Sequence, residues 1–307
     1  MVVLVALFAC KPPVEETDAA EPLVVFEANV GNPDEALGGP CPAAPYHGTT
    51  CSVAQEQVAA AAIAARAPDV VFLLEVLDPA YCGPETWDGD PDLACSGAPD
   101  REPYAQATRY VGPDYTVVCD AIEHYDCVAV RSDRITLDEC AAGETCIGAA
   151  ESPPHPDACG AGAWITSVSR VHAKVDGKPL TIVFAHPIAA GSDDPCRVAQ
   201  YEQAFAELPD GDTLIAGDMN FDPYRVTNWD ASAAWRTYVG EGAPFTAHNV
   251  VEGELPLPTI LGVATLDYVL SNVFEGGCEV LGESPGTERM DAPLDTMDHR
   301  AVVCSLR

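Results

Sequence analysis

Polar residues recur in this sequence at the ends of short apolar runs. Asn29 follows LVVFEA, Glu75 follows DVVFLL, His186 follows TIVFA, Asp218 and Asn220 follow TLIAG, Asp267 follows TL, and Asp298-His299 stand just ahead of the last apolar run. A carboxylate or imidazole that closes a buried strand stands at a sheet rim, where loops from several strands converge on one pocket. Carboxylate and amide oxygens suit hard divalent cations such as Mg²⁺ or Ca²⁺. Imidazoles beside them can take and return protons near neutral pH. One such Asp or His alone is more often a satisfied rim residue, so the signal lies in the set.

The elements that must position this set are short. Strands are expected at Leu23 to Phe26, Val70 to Leu74, Tyr115 to Val118, Val128 to Val130, Trp164 to Val171, Leu180 to Phe184, Thr213 to Ile215, Leu266 to Leu270 and Ala301 to Cys304. Most are too uniformly apolar for one-sided sheets and require cover on both faces. Helices are expected at Ser52 to Arg66, with Ser52 as N-cap, and at Arg197 to Leu208, stopped by Pro209. Helices interleaved with buried strands predict one α/β layered domain. The stretches Asp78 to Pro103 and Asp133 to Gly162, rich in Pro, Gly, Asp and Cys, read as disulfide-pinned loops.

The segments FEANV, PDVVFLLEV, IVFAHPIA, LIAGDMNFDP, TLDYVLSN and MDHRAVV, taken in order, resemble the blocks of the endonuclease/exonuclease/phosphatase superfamily, and they span Phe26 to Val303. The superfamily includes deoxyribonucleases, apurinic endonucleases, neutral sphingomyelinases and inositol phosphatases. The resemblance implies a deoxyribonuclease-like fold, a four-layer sandwich of two mixed β-sheets packed face to face and flanked by helices. It implies that Glu75 holds a divalent cation, Mg²⁺ or alternatively Ca²⁺ or Mn²⁺, with Asn29 and Asp298. Asp218 would orient or deprotonate the attacking water, and Asn220 would bind the phosphate. His299, steered by Asp267, would act as base or stabilise the phosphorane, and His186 would protonate the leaving group or grip the phosphate. Two imidazoles flanking one metal suit in-line displacement at phosphorus. Tyr125, in HYDCVAV, stands where apurinic endonucleases carry a phosphate-contacting tyrosine; a core tyrosine at a strand start is the alternative.

The chain also departs from the family pattern. Gly162-Ala163 stand where deoxyribonucleases carry an arginine, Pro187 directly follows His186, and Met219 inside GDMN reads as a tolerant apolar spacer. Arg131 could bring positive charge to the site, although an exposed strand-end arginine is the simpler reading. The acidic loop Trp87 to Asp92 could hold Ca²⁺, but it lacks a full calcium-loop pattern and reads as solvated. His47, His155, His172 and His248 have no partner pattern and read as surface or structural.

Composition bounds the function. The 307 residues are 48% hydrophobic, ample for a packed core, and 48 acidic against 15 basic residues give a formal charge of -33. That charge repels phosphate polyanions unless a metal or local basic groove reverses the sign. The start MVVLVALFAC resembles a bacterial lipoprotein signal ending at an acylated Cys10, although no Lys or Arg precedes the apolar run and Phe8 stands where a small residue is usual. Residues 1–10 are then a signal, 11–22 a tether and 23–307 the catalytic domain, exported and anchored at the periplasm or cell surface. Thirteen cysteines leave twelve beyond Cys10, which fits an oxidising compartment. Sequence leaves their connectivity open, and nearest-neighbour pairing is plausible: Cys41–Cys51, Cys82–Cys95, Cys119–Cys127, Cys140–Cys146, Cys159–Cys196 and Cys278–Cys304.

The leading expectation is a metal-dependent phosphodiesterase, a non-specific extracellular nuclease, working as a monomer. A phospholipid-headgroup phosphodiesterase or small phosphomonoesterase is the alternative, and charge favours it. A silent surface binding protein would require loss of Glu75, Asp218, Asn220, Asp267 or His299, and all five are present.

Overall fold

The computed structural model describes residues 21–31, 49–77, 94, 105–121, 125–160, 167–189, 194–208, 211–260, 263–281 and 299–307. The signal residues including Cys10, the tether up to residue 20, Asp298, Gly162-Ala163 and the acidic loop 87–92 lie outside them, as does the side chain of Tyr125.

Strands β1 (Leu23–Asn29), β2 (Val70–Val76), β3 (Tyr115–Cys119), β4 (Tyr125–Arg131), β6 (Thr145–Ile147), β12 (Gly276–Val280) and β13 (Val302–Leu306) form one sheet in the order β12-β13-β1-β2-β4-β3-β6. Strands β5 (Ile135–Leu137), β7 (Ser167–Val175), β8 (Lys178–His186), β9 (Thr213–Asp218), β10 (Thr246–Ala247) and β11 (Asp267–Ser271) form the other, ordered β10-β11-β9-β8-β7-β5. Both sheets are mixed: β1 runs parallel to β2 and β8 parallel to β9, beside antiparallel neighbours. The expected helices appear as α1 (Val53–Arg66) and α3 (Asp194–Phe205), with α2 (Ala105–Val111) and α4 (Asp230–Tyr238) in addition.

Burial explains the layering. Between the sheets, Val25, Phe72 and Val128 pack with Ile182, Leu214 and Val269. The opposite face of the first sheet is covered through Ala59 and Ile63 of α1 and Tyr110 of α2. Tyr201 and Phe205 of α3 and Trp235 of α4 cover the second. Strands such as VVFLL are therefore sealed on both faces, which is why they read as apolar runs without alternation.

Several expectations change. Ser52 stands at the N-cap of α1 but makes no side-chain capping bond; the helix stops where Ala67 turns left-handed (φ 44°), its N–H bonding to the Ile63 carbonyl ahead of Pro68. The stretch from Asp133 is not wholly loop, since β5 and β6 lie in it, with Cys140–Cys146 bonded across β6. Helix α4 carries no side-chain cap of its own; Asp194 of α3 accepts its first N–H groups, from Asp230 (2.8 Å) and Ala231 (3.0 Å). Arg131 closes β4 at the end remote from Glu75 and pairs with Asp69 at 3.1 Å, so it brings no charge to the rim. Met219 is fully buried among Tyr201, Phe221 and Trp235, which removes the tolerance expected of a spacer. Disulfides join Cys119–Cys127, Cys140–Cys146, Cys159–Cys196 and Cys278–Cys304, as nearest-neighbour pairing anticipates; Cys41, Cys82 and Cys95 lie outside the described residues.

Gly217, one residue before Asp218, has φ +146°, and a Cβ there would collide with the Ala185 carbonyl of β8. Its bare backbone lets β8 and β9 close together immediately beneath His186 and Asp218. Gly217→Ala is expected to lower stability by about 1–3 kcal/mol, the cost of overpacking a rigid site; an unchanged urea midpoint would argue against this account.

Candidate active site

Parallel pairs β1/β2 and β8/β9 end at one rim, and they carry Asn29, Glu75, His186 and Asp218 there. Antiparallel neighbours bring their first residues to the same rim. Asp267 opens β11 directly opposite Asp218 in register, and Asp126, second in β4, faces the end of β2. His299 enters through an isolated bridge to Ile260. The structure thus assembles Asn29, Glu75, His186, Asp218, Asn220, Asp267 and His299 into one cluster.

Asp218 is its centre. Its Oδ2 accepts Asn29 Nδ2 at 3.2 Å and faces His299 Nε2 at 3.6 Å and His186 Nε2 at 3.9 Å, while its Oδ1 accepts the Asn220 N–H at 2.7 Å. The same Asn29 amide donates to Glu75 Oε1 at 3.0 Å, bridging two carboxylates that would otherwise repel. The Gly31 N–H, 2.9 Å from Asn29 Oδ1, fixes which way that amide points. A Cβ on Gly31 would collide with the Glu75 carboxylate where it now stands, so any larger residue there has to displace that side chain.

Two of the four non-glycine residues with positive φ among the described residues are Glu75 (57°) and Asn220 (50°). A register shift between Leu73 and Val76 turns Glu75 out of the ladder, and its side chain is 29% exposed where the neighbouring residues are sealed. Strained backbone of this kind persists only where the surroundings hold it. For Asn220 the hold is visible: its Nδ2 donates to the Pro187 carbonyl at 2.9 Å, so the proline after His186 shapes the loop that orients this amide.

Each imidazole has a carboxylate behind it. Asp267 grips His299 Nδ1 with both oxygens, at 3.0 and 2.8 Å, as expected. Sequence reasoning missed the second pair: Asp126 Oδ1 lies 3.3 Å from His186 Nδ1 and 3.2 Å from the Glu75 N–H that donates to it. Both rings therefore present Nε2 to the site. Burial opposes protonation of His186, but Asp126, then Asp218 and Glu75, overcome it and push the pKa up to about 10. Burial raises the Asp267 carboxyl against the opposing pull of His299. The remaining histidines behave as expected where described: His248 is buried against Ser271, and His172 contacts Glu139.

Glu27 was also missed. It is fully buried on β1, and neither carboxyl oxygen has a hydrogen-bond partner among the described residues. Burial, followed by the charges of Asp267 and Asp218, raises its pKa well above the usual carboxylate range, only partly offset by His299.

The donor set suits a hard cation. Glu75 supplies a partly exposed carboxylate, and Asn29 a carbonyl with a lone pair beyond the one given to Gly31; Asp298, the third expected ligand, lies outside the described residues. Donor atoms of Asp218, Asp267 and His299 lie within 4.8 Å of one another, all three residues buried.

No protein-family model matches the sequence, and no curated protein sequence does. Solved structures do match. D. rerio TDP2 complexed with a single-strand DNA product is 14% identical, with a TM-score of 0.58 over 93% of this chain and 99% of that one. The human Nocturnin catalytic domain with bound sulfate is 14% identical, with a TM-score of 0.56 over 94% and 93%. An endonuclease/exonuclease/phosphatase from Bacteroides vulgatus is 11% identical, with a TM-score of 0.58 over 93% and 98%. The chain has the endonuclease/exonuclease/phosphatase fold. At these identities the likeness shows the fold alone.

A carboxyl held protonated in the fold costs no stability below the unfolded pKa of about 4.3 and progressively more as pH rises towards its folded value. Glu27→Gln is therefore expected to raise the Tm at pH 8 and to lose that advantage near pH 4. A Tm difference independent of pH would contradict the assignment.

Proposed function

We propose that this chain is a divalent-metal-dependent phosphoester hydrolase of the endonuclease/exonuclease/phosphatase superfamily. The observation that carries the reading is the convergence on Asp218 of two carboxylate-backed imidazoles and an amide shared with Glu75.

A cation held by Glu75 and Asn29, with Asp298, would neutralise charge developing on the phosphoryl oxygens. Asp218 accepts a proton from, or orients, the attacking water. His299, kept in one tautomer by Asp267, stabilises the charged phosphorane or relays the proton. His186, held by Asp126 and protonated, is the acid beside the leaving group. Asn220, fixed by Asp218 and Pro187, contributes an amide to the phosphate, and Tyr125 is a further phosphate contact in the same proposal. Mg²⁺ is the cation first suggested by the oxygen-rich donor set, with Mn²⁺ and Ca²⁺ as alternatives.

For substrate, a non-specific nuclease is the first reading, supported by a structural neighbour solved with single-strand DNA product. The formal charge of -33 favours the second reading, a phospholipid-headgroup phosphodiesterase. We further propose export, with acylation at Cys10 anchoring a monomer to the cell envelope. The disulfides support an oxidising compartment.

The test is hydrolysis of plasmid DNA, RNA, sphingomyelin and a simple phosphomonoester with Mg²⁺, Mn²⁺, Ca²⁺ or EDTA. Turnover is expected to vanish with EDTA and to fall by roughly 10²–10⁴-fold in His299→Ala, the usual contribution of a general acid–base group. Turnover that survives both would defeat the mechanism. Cys10→Ala is expected to move the protein into the soluble fraction, and continued membrane retention would refute the anchor.

A further inference from the structure

Among the described residues the large apolar side chains that stand exposed are not scattered. Val251, Leu255, Leu257 and Val263 are 62%, 63%, 48% and 66% exposed, and the remaining member of this class, Val273, is at 42%. Four of the five thus fall within one short excursion between β10 and β11. Single exposed aliphatics need no explanation, but four within one stretch of chain that is tied to a site suggest an interaction surface.

The excursion is braced from below. Pro256 is buried, and its carbonyl accepts Arg225 Nη2 at 2.8 Å. The Leu257 carbonyl accepts Thr265 Oγ1 at 2.7 Å, and Asp222 Oδ2 holds the Thr265 N–H at 2.9 Å. The backbone at Pro256, Leu257 and Thr265 is therefore fixed, while the aliphatic side chains of the excursion stay exposed. That base is joined to the site: Thr259 Oγ1 accepts the Asp267 N–H at 3.2 Å, and Ile260 bridges to His299.

Charge selects the occupant. From Val250 to Thr265 the charged residues are Glu252 and Glu254, with no Lys or Arg, on a chain of formal charge -33. Arg225, the cation beneath Pro256, is already paired with Asp222 at 2.6 Å, so a polyanion such as nucleic acid, or an anionic bilayer, meets net negative charge on such a rim. A zwitterionic lipid surface meets no net repulsion and can bury the aliphatic groups.

We propose that Val251, Leu255, Leu257 and Val263 seat the site on a zwitterionic lipid–water interface, where the phosphoester presented to Asp218 and His299 is carried on an apolar body. This rests on the phospholipid reading above, and it assigns the specificity to the β10–β11 excursion.

The experiment uses the full chain carrying Cys10→Ala, so that no acyl group tethers it, beside the same chain with Val251→Ser, Leu255→Ser and Leu257→Ser. Each is mixed with phosphatidylcholine–sphingomyelin vesicles, with or without phosphatidylserine. Cosedimentation and hydrolysis are followed, with bis(p-nitrophenyl) phosphate as a water-soluble diester. The triple variant is expected to lose cosedimentation and vesicle-lipid hydrolysis by roughly tenfold or more, the scale of side-chain burial for a few aliphatic groups. Turnover of the soluble diester, which also reports correct folding, should stay unchanged. The proposal is overturned if the triple variant cosediments like its parent, if the parent ignores neutral vesicles or prefers anionic ones, or if the substitutions only dissociate a dimer. A parent that binds neutral vesicles but hydrolyses neither lipid nor diester would sink the enzymatic reading while leaving the lipid contact standing.

Discussion

The organisation of this protein depends on holding several carboxylates together at the rim of two sheets. Glu75 and Asp218 share one amide, that of Asn29, while Asp218 and Asp267 lie side by side on paired strands. Unscreened, such a group repels itself, and buried charge without partners is costly. The fold offsets this with donors of defined direction: Asn29 between two carboxylates, His299 between Asp267 and Asp218, and His186 between Asp126 and the same Asp218. The residual negative potential at Glu75 is what attracts a cation in the proposed function. Stabilising the cluster and preparing it for metal are then one physical property.

That requirement propagates outward. Gly31 and Gly217 keep backbone clear of the Glu75 carboxylate and the Ala185 carbonyl, and the bulge in β2 rotates Glu75 toward the opening. The Pro187 carbonyl and the Asp222–Arg225–Thr265 network brace the loops on either side. Disulfides pin strands and loops, Cys119–Cys127 joining β3 to β4 at the residue next to Asp126.

Much of this was legible in the sequence, and the reasons are physical. Apolar strands sealed on both faces leave a plain signal, and a polar residue closing such a strand sits at the rim by geometry. Asn29, Glu75, His186 and Asp218 could be read that way, and the parallel pairing β1/β2 and β8/β9 puts them together. Asp126 escaped because it lies near the start of its strand, and only the antiparallel pairing of β4 with β2, a tertiary fact, carries it to the same rim. Glu27 escaped because a carboxylate inside an apolar run ordinarily signals an outward face, whereas here it points into the cluster. Helices α2 and α4 were missed because their stability comes from packing, through Tyr110 and Trp235, more than from local pattern. Met219 was misjudged because an apolar residue between two functional ones says nothing of how tightly its pocket is packed.

The most direct test of the central claim is to locate Mn²⁺ by anomalous scattering in crystals of the catalytic domain grown with the ion. The account predicts one principal peak coordinated by Glu75 and close to Asn29, on the open side of Asp218. A principal peak elsewhere, or none at saturating Mn²⁺, would show that the carboxylate cluster is a feature of the fold and not a metal-dependent catalytic centre.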